Sequence, residues 1–239
     1  MNFVIPMAGR GSRFADAGYT SPKMLIEAKG KTLLEWSLSS LPLNICTNLI
    51  FIALEEHSEN YNIKEIIEAK YPHLRSITKF IFLQEVTRGQ SETVLKAKDL
   101  LDNSKGLLIY NIDTWFYSSS LEKMLLSDEF DGIAGAFIST DPKYSFAKLD
   151  EHNNVIQVAE KQAISNFALT GMYYFKKTAD FINAAEEAIV KNETVKNEFY
   201  IAPLYNKLIS LQKHIAIDLV QDFSILGTPE ELNEFIEKK

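Results

Sequence analysis

Apolar residues follow two alternating rhythms along the chain. Short uninterrupted runs at residues 2–7, 49–54, 79–83, 106–112 and 133–139 read as strands buried on both faces. Between them, apolar positions recur at helical spacing over 32–41, 61–70, 91–101 and 121–126, and again over 177–191 and 200–211. That alternation predicts an α/β fold with helices flanking a central sheet. Beyond residue 140 the pattern changes: runs at 146–149, 155–159 and 169–175 are separated by the turn-rich stretches DEHNN and KQAISN. These predict an antiparallel extension and therefore a mixed sheet. No linker rich in Pro, Gly or Ser and no repeat interrupts the chain, so residues 1–239 are expected to form one domain.

Composition narrows the function classes. The chain is 46% hydrophobic and 24% charged, which suits a packed core rather than disorder. Its net charge of −7 argues against general affinity for nucleic acid or anionic membranes. Residues 3–8 follow no basic segment and are too short for a signal sequence or membrane span. A single cysteine, Cys46, allows no internal disulfide, and four scattered histidines have no zinc-ligand spacing. A reduced, cytoplasmic setting is expected. Residues 1–31 run against the overall charge, with five basic residues (Arg10, Arg13, Lys23, Lys29, Lys31) and two acidic ones (Asp16, Glu27). A local anion site is thus compatible with an acidic protein.

Ligands of open α/β sheets sit beyond the carboxyl ends of the strands, which directs attention to the loops after residues 7, 83, 112 and 159. The first loop reads Ala8-Gly9-Arg10-Gly11-Ser12-Arg13. Glycines let backbone N–H groups approach an anion, and arginines bind phosphate oxygens in a forked geometry that lysine lacks. A tight strand-to-helix turn with surface arginines is the plain alternative. Two phosphate motifs fail here. The dinucleotide fingerprint needs a third glycine where Phe14 stands, and Gly30-Lys31-Thr32 lacks the earlier P-loop glycine, that position being Leu25.

The longer pattern PMAGRGSRF…SPKMLIEAKGKTLLEWSL resembles the start of the nucleotidyltransferases that activate sugar phosphates and similar phosphorylated acceptors. The resemblance implies a Rossmann-like, glycosyltransferase-A-like fold with a mixed central sheet. It implies that Ala8, Gly9, Gly11, Ser12, Arg13 and Lys23 bind the triphosphate of a nucleoside triphosphate. QEVTRGQSETVLKA looks like the base-reading segment, with Gln84 and Gly89 at the matching places. LLIYNIDTWF matches the strand ending in a metal-binding aspartate, here Asp113. VAEKQ…ALTGMYYF carries the Glu160-Lys161 pair and then Thr170-Gly171, and GTPEEL falls where a closing helix is expected. Asn111, Glu160, Lys161, Thr170, Gly171, Tyr173 and Glu198 are the residues expected to meet the acceptor.

The departures matter as well. Many relatives place an aspartate two residues before the glycine of GTPE as a second metal carboxylate, but this chain has Ile225 there. Asp222 and Asp218 are the nearby substitutes, and Asp222 is the expected second ligand. Asn111 stands near a position often held by glycine, and Gln162 replaces a proline. The sequence ends without the left-handed repeat domain that some relatives append, so acetyltransferase activity is not expected.

A phosphate acceptor already carries a nucleophilic oxygen, so the chemistry needs positioning and charge neutralisation more than a strong base. Mg²⁺, or Mn²⁺, on Asp113 suits hard oxygen ligands. The resemblance implies Arg13 on the departing pyrophosphate, Lys23 on the α-phosphate and Lys161 on the acceptor phosphate. Within the family, IPMAGRGSRF, NEFYIAPLYN and the NID strand look like the CTP:phosphoglutamine cytidylyltransferases of capsular phosphoramidate synthesis. That branch implies CTP and L-glutamine phosphate. Alternatives are a sugar-1-phosphate nucleotidyltransferase using UTP, dTTP or CTP, a glycosyltransferase on a related fold, and a non-catalytic nucleotide-binding regulator. Asn111-Ile112-Asp113 lacks the Asp-x-Asp of the glycosyltransferases. A homodimer is compatible with the sequence.

Overall fold

The structure, a computed structural model, describes residues 1–238. Its strands are β1 (Asn2–Pro6), β2 (Glu27–Ala28), β3 (Lys31–Thr32), β4 (Asn48–Leu54), β5 (Thr78–Leu83), β6 (Leu107–Tyr110), β7 (Thr114–Tyr117), β8 (Gly132–Ile138), β9 (Ser145–Leu149), β10 (Val155–Glu160), β11 (Phe167–Phe175), β12 (Ile215–Leu219) and β13 (Asp222–Ile225). Its helices are α1 (Ser12–Asp16), α2 (Leu33–Leu38), α3 (Glu55–Tyr61), α4 (Ile63–Lys70), α5 (Gln90–Leu95), α6 (Leu121–Leu126), α7 (Thr178–Val190), α8 (Tyr205–Ser210) and α9 (Pro229–Glu237).

The fold is α/β with a mixed nine-stranded sheet in the order β10-β9-β11-β6-β1-β4-β5, with β8 beside β11 and β12 beside β8. β6, β1, β4 and β5 pair in parallel. β11 runs antiparallel to β6 and β8, which makes the expected antiparallel extension. β1, β4 and β6 are apolar because both faces are covered, whereas β5, expected to be buried too, is the edge strand and is only half-buried, with Lys79 exposed. Phe3, Ile5, Phe51 and Leu108 pack into one core with α2, α4 and α6. Val4, Ile50, Leu107 and Ile109 pack into the other with α5, α7 and α8. Each such side chain stabilises by roughly 1.5–3 kcal/mol on burial. A third cluster joins Phe14, Ile26 and Leu33 to Leu226, Leu232 and Phe235, fastening the first loop region to α9.

Several boundaries differ from the predicted ones, with local causes. The helix expected over 32–41 spans only Leu33–Leu38, because Thr32 caps it and the chain turns at Leu41-Pro42. The one expected over 61–70 is two helices broken at Asn62, which adopts a left-handed conformation (φ 51°). The one expected over 91–101 ends at Leu95, and 3₁₀ geometry returns at Lys98–Leu100. Pro203 holds the start of the 200–211 segment in a 3₁₀ turn, Ala202–Leu204, so α8 begins at Tyr205. α1, α3, β7, β12 and β13 have no counterpart in the hydrophobic pattern, and β7 pairs with β13 outside the main sheet.

Strand register sets up the site. Asn111, just past β6, lies beside Gly171 of β11, whose carbonyl accepts its N–H at 3.3 Å. Ser145 of β9 pairs with Glu160 of β10, and Phe146 of β9 pairs with Ala168 of β11. Residues 111, 171, 145 and 160 therefore line up at one end of the sheet, beside the carboxyl ends of β1 and β6.

Candidate active site

Gly11 ends the first loop in a left-handed conformation (φ 62°), which favours glycine. A Cβ there would come 3.3 Å from Cβ of Lys23, so the loop and the Lys23 segment touch. Gly9 has open space where a Cβ would be. Its smallness is not required by packing. Phe14, buried in the third cluster, anchors α1 and leaves Ser12 and Arg13 exposed. Ala8 is buried at the end of the strand. The Arg10 and Arg13 side chains make no hydrogen bond or ion pair among the described residues, although the Arg13 carbonyl accepts from Ala17 N–H at 3.3 Å.

Lys23 opens a 3₁₀ turn after the extended Pro22, and buried Met24 pins that turn to the core. Its Nζ donates to Asp113 Oδ2 at 3.1 Å and to the Gly227 carbonyl at 3.5 Å. Lys23 and Asp113 side chains are 15% and 37% exposed, so this pair is partly screened from water yet open to a ligand. Asp113 sits in the turn from β6 to β7, and that turn is held firmly. The Asp113 carbonyl accepts Leu226 N–H at 2.7 Å. Tyr110 donates its hydroxyl to the Thr114 carbonyl at 2.6 Å, and the Thr114 hydroxyl donates to the Thr170 carbonyl at 3.0 Å. Thr170 is buried with its hydroxyl beside Gly135, so its carbonyl is a fixed anchor for the turn.

The opposite wall is built from bonded side chains. Glu160 accepts from the Ser145 hydroxyl. Burial pushes its carboxyl above the ordinary value; the Ser145 bond and the Lys161 charge pull it down, and Glu198 adds to the rise. Lys161 adopts a left-handed conformation (φ 53°), its N–H donates to the Tyr144 carbonyl at 3.0 Å, and its ammonium donates to the Tyr200 hydroxyl. Burial and then Glu198 hold the Tyr200 phenol above its usual value, so it stays protonated. Tyr173 is buried between the two walls; burial raises its hydroxyl pKa first, and the charges of both Glu160 and Asp113 reach it. Glu198 is exposed in a tight bridge with Val195.

Gly89 joins the segment expected to read the base to this wall. Its φ is 140°, and a Cβ there would meet Phe199 N at 2.4 Å. Phe199 N–H donates to the Arg88 carbonyl at 2.8 Å, and Ser91 N–H to the Phe199 carbonyl at 3.0 Å. Gln84 is exposed at the end of β5. Gly171 (φ 88°) faces Asn111, whose Nδ2 would lie 2.6 Å from a Cβ. Gln90 donates to the Asn111 side chain, a contact that no sequence expectation included. Its only sequence signal is its place in TRGQ. Ser145, absent from the sequence expectations too, had no signal until the strand register was known.

Asp222 does not join Asp113. β13 pairs with β7 so that Ile225 lies opposite Thr114 and Asp222 opposite Tyr117. Three strand positions, roughly 10 Å, therefore separate Asp222 from the Asp113 turn. Its carboxylate bonds Lys238 at 2.5 Å, which holds it below the usual carboxylate range. Asp218 is buried on β12 and accepts from Ser120 at 2.5 Å. Neither fits the expected second-ligand position. Among the described residues, no three His, Cys, Asp or Glu side chains cluster as a metal site. A hard divalent cation still suits the Asp113 carboxylate, a hard oxygen donor that is 37% exposed. No described helix is long and apolar enough to cross a membrane.

Comparison with known proteins agrees with the fold. The chain is 35% identical to a solved nucleoside-diphosphate-sugar pyrophosphorylase from Vibrio cholerae RC9, with a TM-score of 0.83, covering 99% of this chain and 100% of that one. It shares its fold with the inositol-1-phosphate CTP transferase from T. maritima at 16% identity and a TM-score of 0.74, covering 98% of this chain and 92% of that one. It is 24% identical over 235 residues to the bifunctional protein GlmU of Methanococcus maripaludis, covering 96% of this chain and 52% of that protein. The chain spans about half the length of the curated relatives it matches. The family model described as Nucleotidyl transferase matches residues 3–216, and the chain belongs to that family.

Proposed function

We propose that residues 1–239 form one nucleotidyltransferase domain that moves a nucleoside monophosphate from a triphosphate to a phosphorylated small acceptor, releasing pyrophosphate. The observation that carries this reading is the Lys23–Asp113 contact at 3.1 Å. It ties the Lys23 turn, which touches the first loop at Gly11, to the end of β6, with the Lys161–Tyr200 pair on the opposite wall. Backbone groups of Ala8, Gly9, Gly11 and Ser12 cradle the triphosphate, and Arg13 meets the departing pyrophosphate. Lys23 neutralises the α-phosphate. Lys161 orients the acceptor phosphate so that its oxygen attacks the α-phosphorus in line, with bond formation there and loss of pyrophosphate. Asn111, Thr170, Gly171, Tyr173, Glu160 and Glu198 shape the acceptor pocket. Mg²⁺ or Mn²⁺ held by Asp113 supplies further neutralisation of triphosphate charge when bound.

For substrates we favour CTP and L-glutamine phosphate, giving CDP-L-glutamine for capsule or surface polysaccharide modification. The support is the resemblance of NEFYIAPLYN and the NID strand, together with exposed Glu198, whose carboxylate can pair with an α-ammonium group. Gln84, which both donates and accepts, fits the reading of a pyrimidine edge. The second reading, a sugar-1-phosphate nucleotidyltransferase, is favoured by the name of the Vibrio cholerae relative. A matrix of CTP, UTP and dTTP against L-glutamine phosphate and glucose 1-phosphate, read as pyrophosphate release, separates the two. Nucleotide binding without release from any pair would instead support the regulator.

A further inference from the structure

Three side chains converge on the space beside Gly227. A Cβ built there would stand 2.9 Å from Glu231 Oε2, 3.6 Å from Ile225 Cγ2 and 3.9 Å from Asp113 Oδ2. Glu231 thus reaches toward the same point as Asp113, while Ile225 offers it only a methyl group.

The conformation of Glu231 is not what its local sequence dictates. Thr228-x-x-Glu231 has the spacing of a capping box, in which the glutamate should bond back to the threonine N–H. The same spacing in α2 closes fully: Thr32 Oγ1 accepts from Glu35 N–H at 3.2 Å, and Glu35 Oε2 accepts from Thr32 N–H at 2.9 Å. In α9 only half of the box forms. Thr228 Oγ1 accepts from Glu231 N–H at 3.2 Å, but the Glu231 carboxylate turns away from the cap. Its Oε1 takes Lys143 Nζ at 3.0 Å, and its side chain is 18% exposed. Oε2 has no hydrogen-bond partner among the described residues. A carboxylate withheld from its own helix cap, with one oxygen toward Asp113, is available to a cation.

We propose that Glu231 is the second carboxylate on the divalent cation held by Asp113, with Lys143 as its counter-ion before the cation arrives. The inference rests on the nucleotidyl-transfer reading. Glu231 Oε2 and Asp113 Oδ2 stand 2.9 and 3.9 Å from one point, hence no farther apart than those two distances together, about 6.8 Å. One Mg²⁺ with bonds of about 2.0–2.1 Å needs them within about 4.2 Å, a closure within the swing of a glutamate released from a lysine. Two carboxylates on one ion raise affinity through charge count.

The test uses the full chain and Mn²⁺ alone as probe, following free Mn²⁺ by electron paramagnetic resonance, with thermal melts to verify folding. Asp113→Asn is expected to abolish tight binding and Glu231→Gln to weaken it roughly tenfold. Lys143→Met should tighten it, because the competing ammonium is gone. Asp222→Asn should leave the titration unchanged. Adding Ile225→Asp to Glu231→Gln should restore affinity, since an aspartate there faces the same space. A Glu231→Gln titration that superimposes on the wild type overturns the proposal, as does a wild-type chain that binds no Mn²⁺ or a loss with Asp222→Asn equal to that with Glu231→Gln. The readout is independent of turnover, so its failure is distinct from failure of pyrophosphate release.

Discussion

The two walls of the site are built differently. On the wall proposed for the triphosphate, Gly9, Arg10, Ser12 and Arg13 are exposed, and the rigid parts are backbone: Gly11, the Lys23 turn and the Asp113 turn. On the wall proposed for the acceptor, Ser145 bonds Glu160 and Lys161 bonds Tyr200, with Tyr173 buried beside them. A triphosphate carries its own charge and binds to whatever free donors are offered, so unpartnered arginines suffice. A small acceptor must be held at one angle, which demands side chains already fixed in place. The triphosphate wall should then tolerate mutation without unfolding, whereas the acceptor wall should couple function to stability.

Asp113→Asn gives the largest effect. It stands where the walls meet, and losing its charge should lower turnover by about 10²-fold or more with an unchanged melting temperature. Steady-state rates at saturating Mg²⁺ provide the check. A comparable melting loss would move Asp113 from chemistry to structure.

Arg13→Ala and Lys161→Ala sharpen the contrast. Each should cost roughly 1.5–3 kcal/mol of transition-state stabilisation, as a lost charge-assisted phosphate contact. Arg13→Ala should raise the KM for the triphosphate and leave melting unaltered. Lys161→Ala should raise the KM for the acceptor and also lower the melting temperature, because the Tyr200 hydroxyl loses its partner. Equal effects on both substrates would erase the division between walls.

Gly89→Ala attacks the junction between the loop that opens α5 and Phe199. Strain at φ 140° plus a 2.4 Å approach to Phe199 N should cost about 1–3 kcal/mol of stability. Chemical denaturation measures it.

Glu160→Gln gives the smallest effect and reverses the usual sign. Burial raises the folded carboxyl above its unfolded value of 4.5, so its contribution to stability is fully present below that pH. It is lost as pH rises through the folded value, while glutamine, which does not ionise, loses nothing. The variant should therefore melt higher than the wild type at pH 7.5, with the gap closing toward pH 4. A constant gap would show that Glu160 does not carry this linkage.

The buried parallel strands were legible because burial on both faces leaves unbroken apolar runs, as in IFIAL of β4. α1, β7 and β13 were not. They are four or five residues long, too short for a period to register, and β7 and β13 pair with each other outside the main sheet. The place of Asp113 in the turn after β6 was legible from the apolar run before it. Asp222 misled because distance along the chain to Ile225 is short, while the strand pairing carries it to the far end of β7. Glu231 was hidden for another reason. Its spacing from Thr228 reads as helix capping, and only tertiary structure reveals that its carboxylate leaves the cap for Lys143.

The most direct test measures pyrophosphate release from CTP and L-glutamine phosphate with Mg²⁺, in the wild type and in Asp113→Asn. Release that needs both substrates and the cation, and that falls about 10²-fold or more in the variant, is the predicted result. Release that proceeds equally well in Asp113→Asn, or no release from this or any other pair of triphosphate and phosphorylated acceptor, would contradict the account.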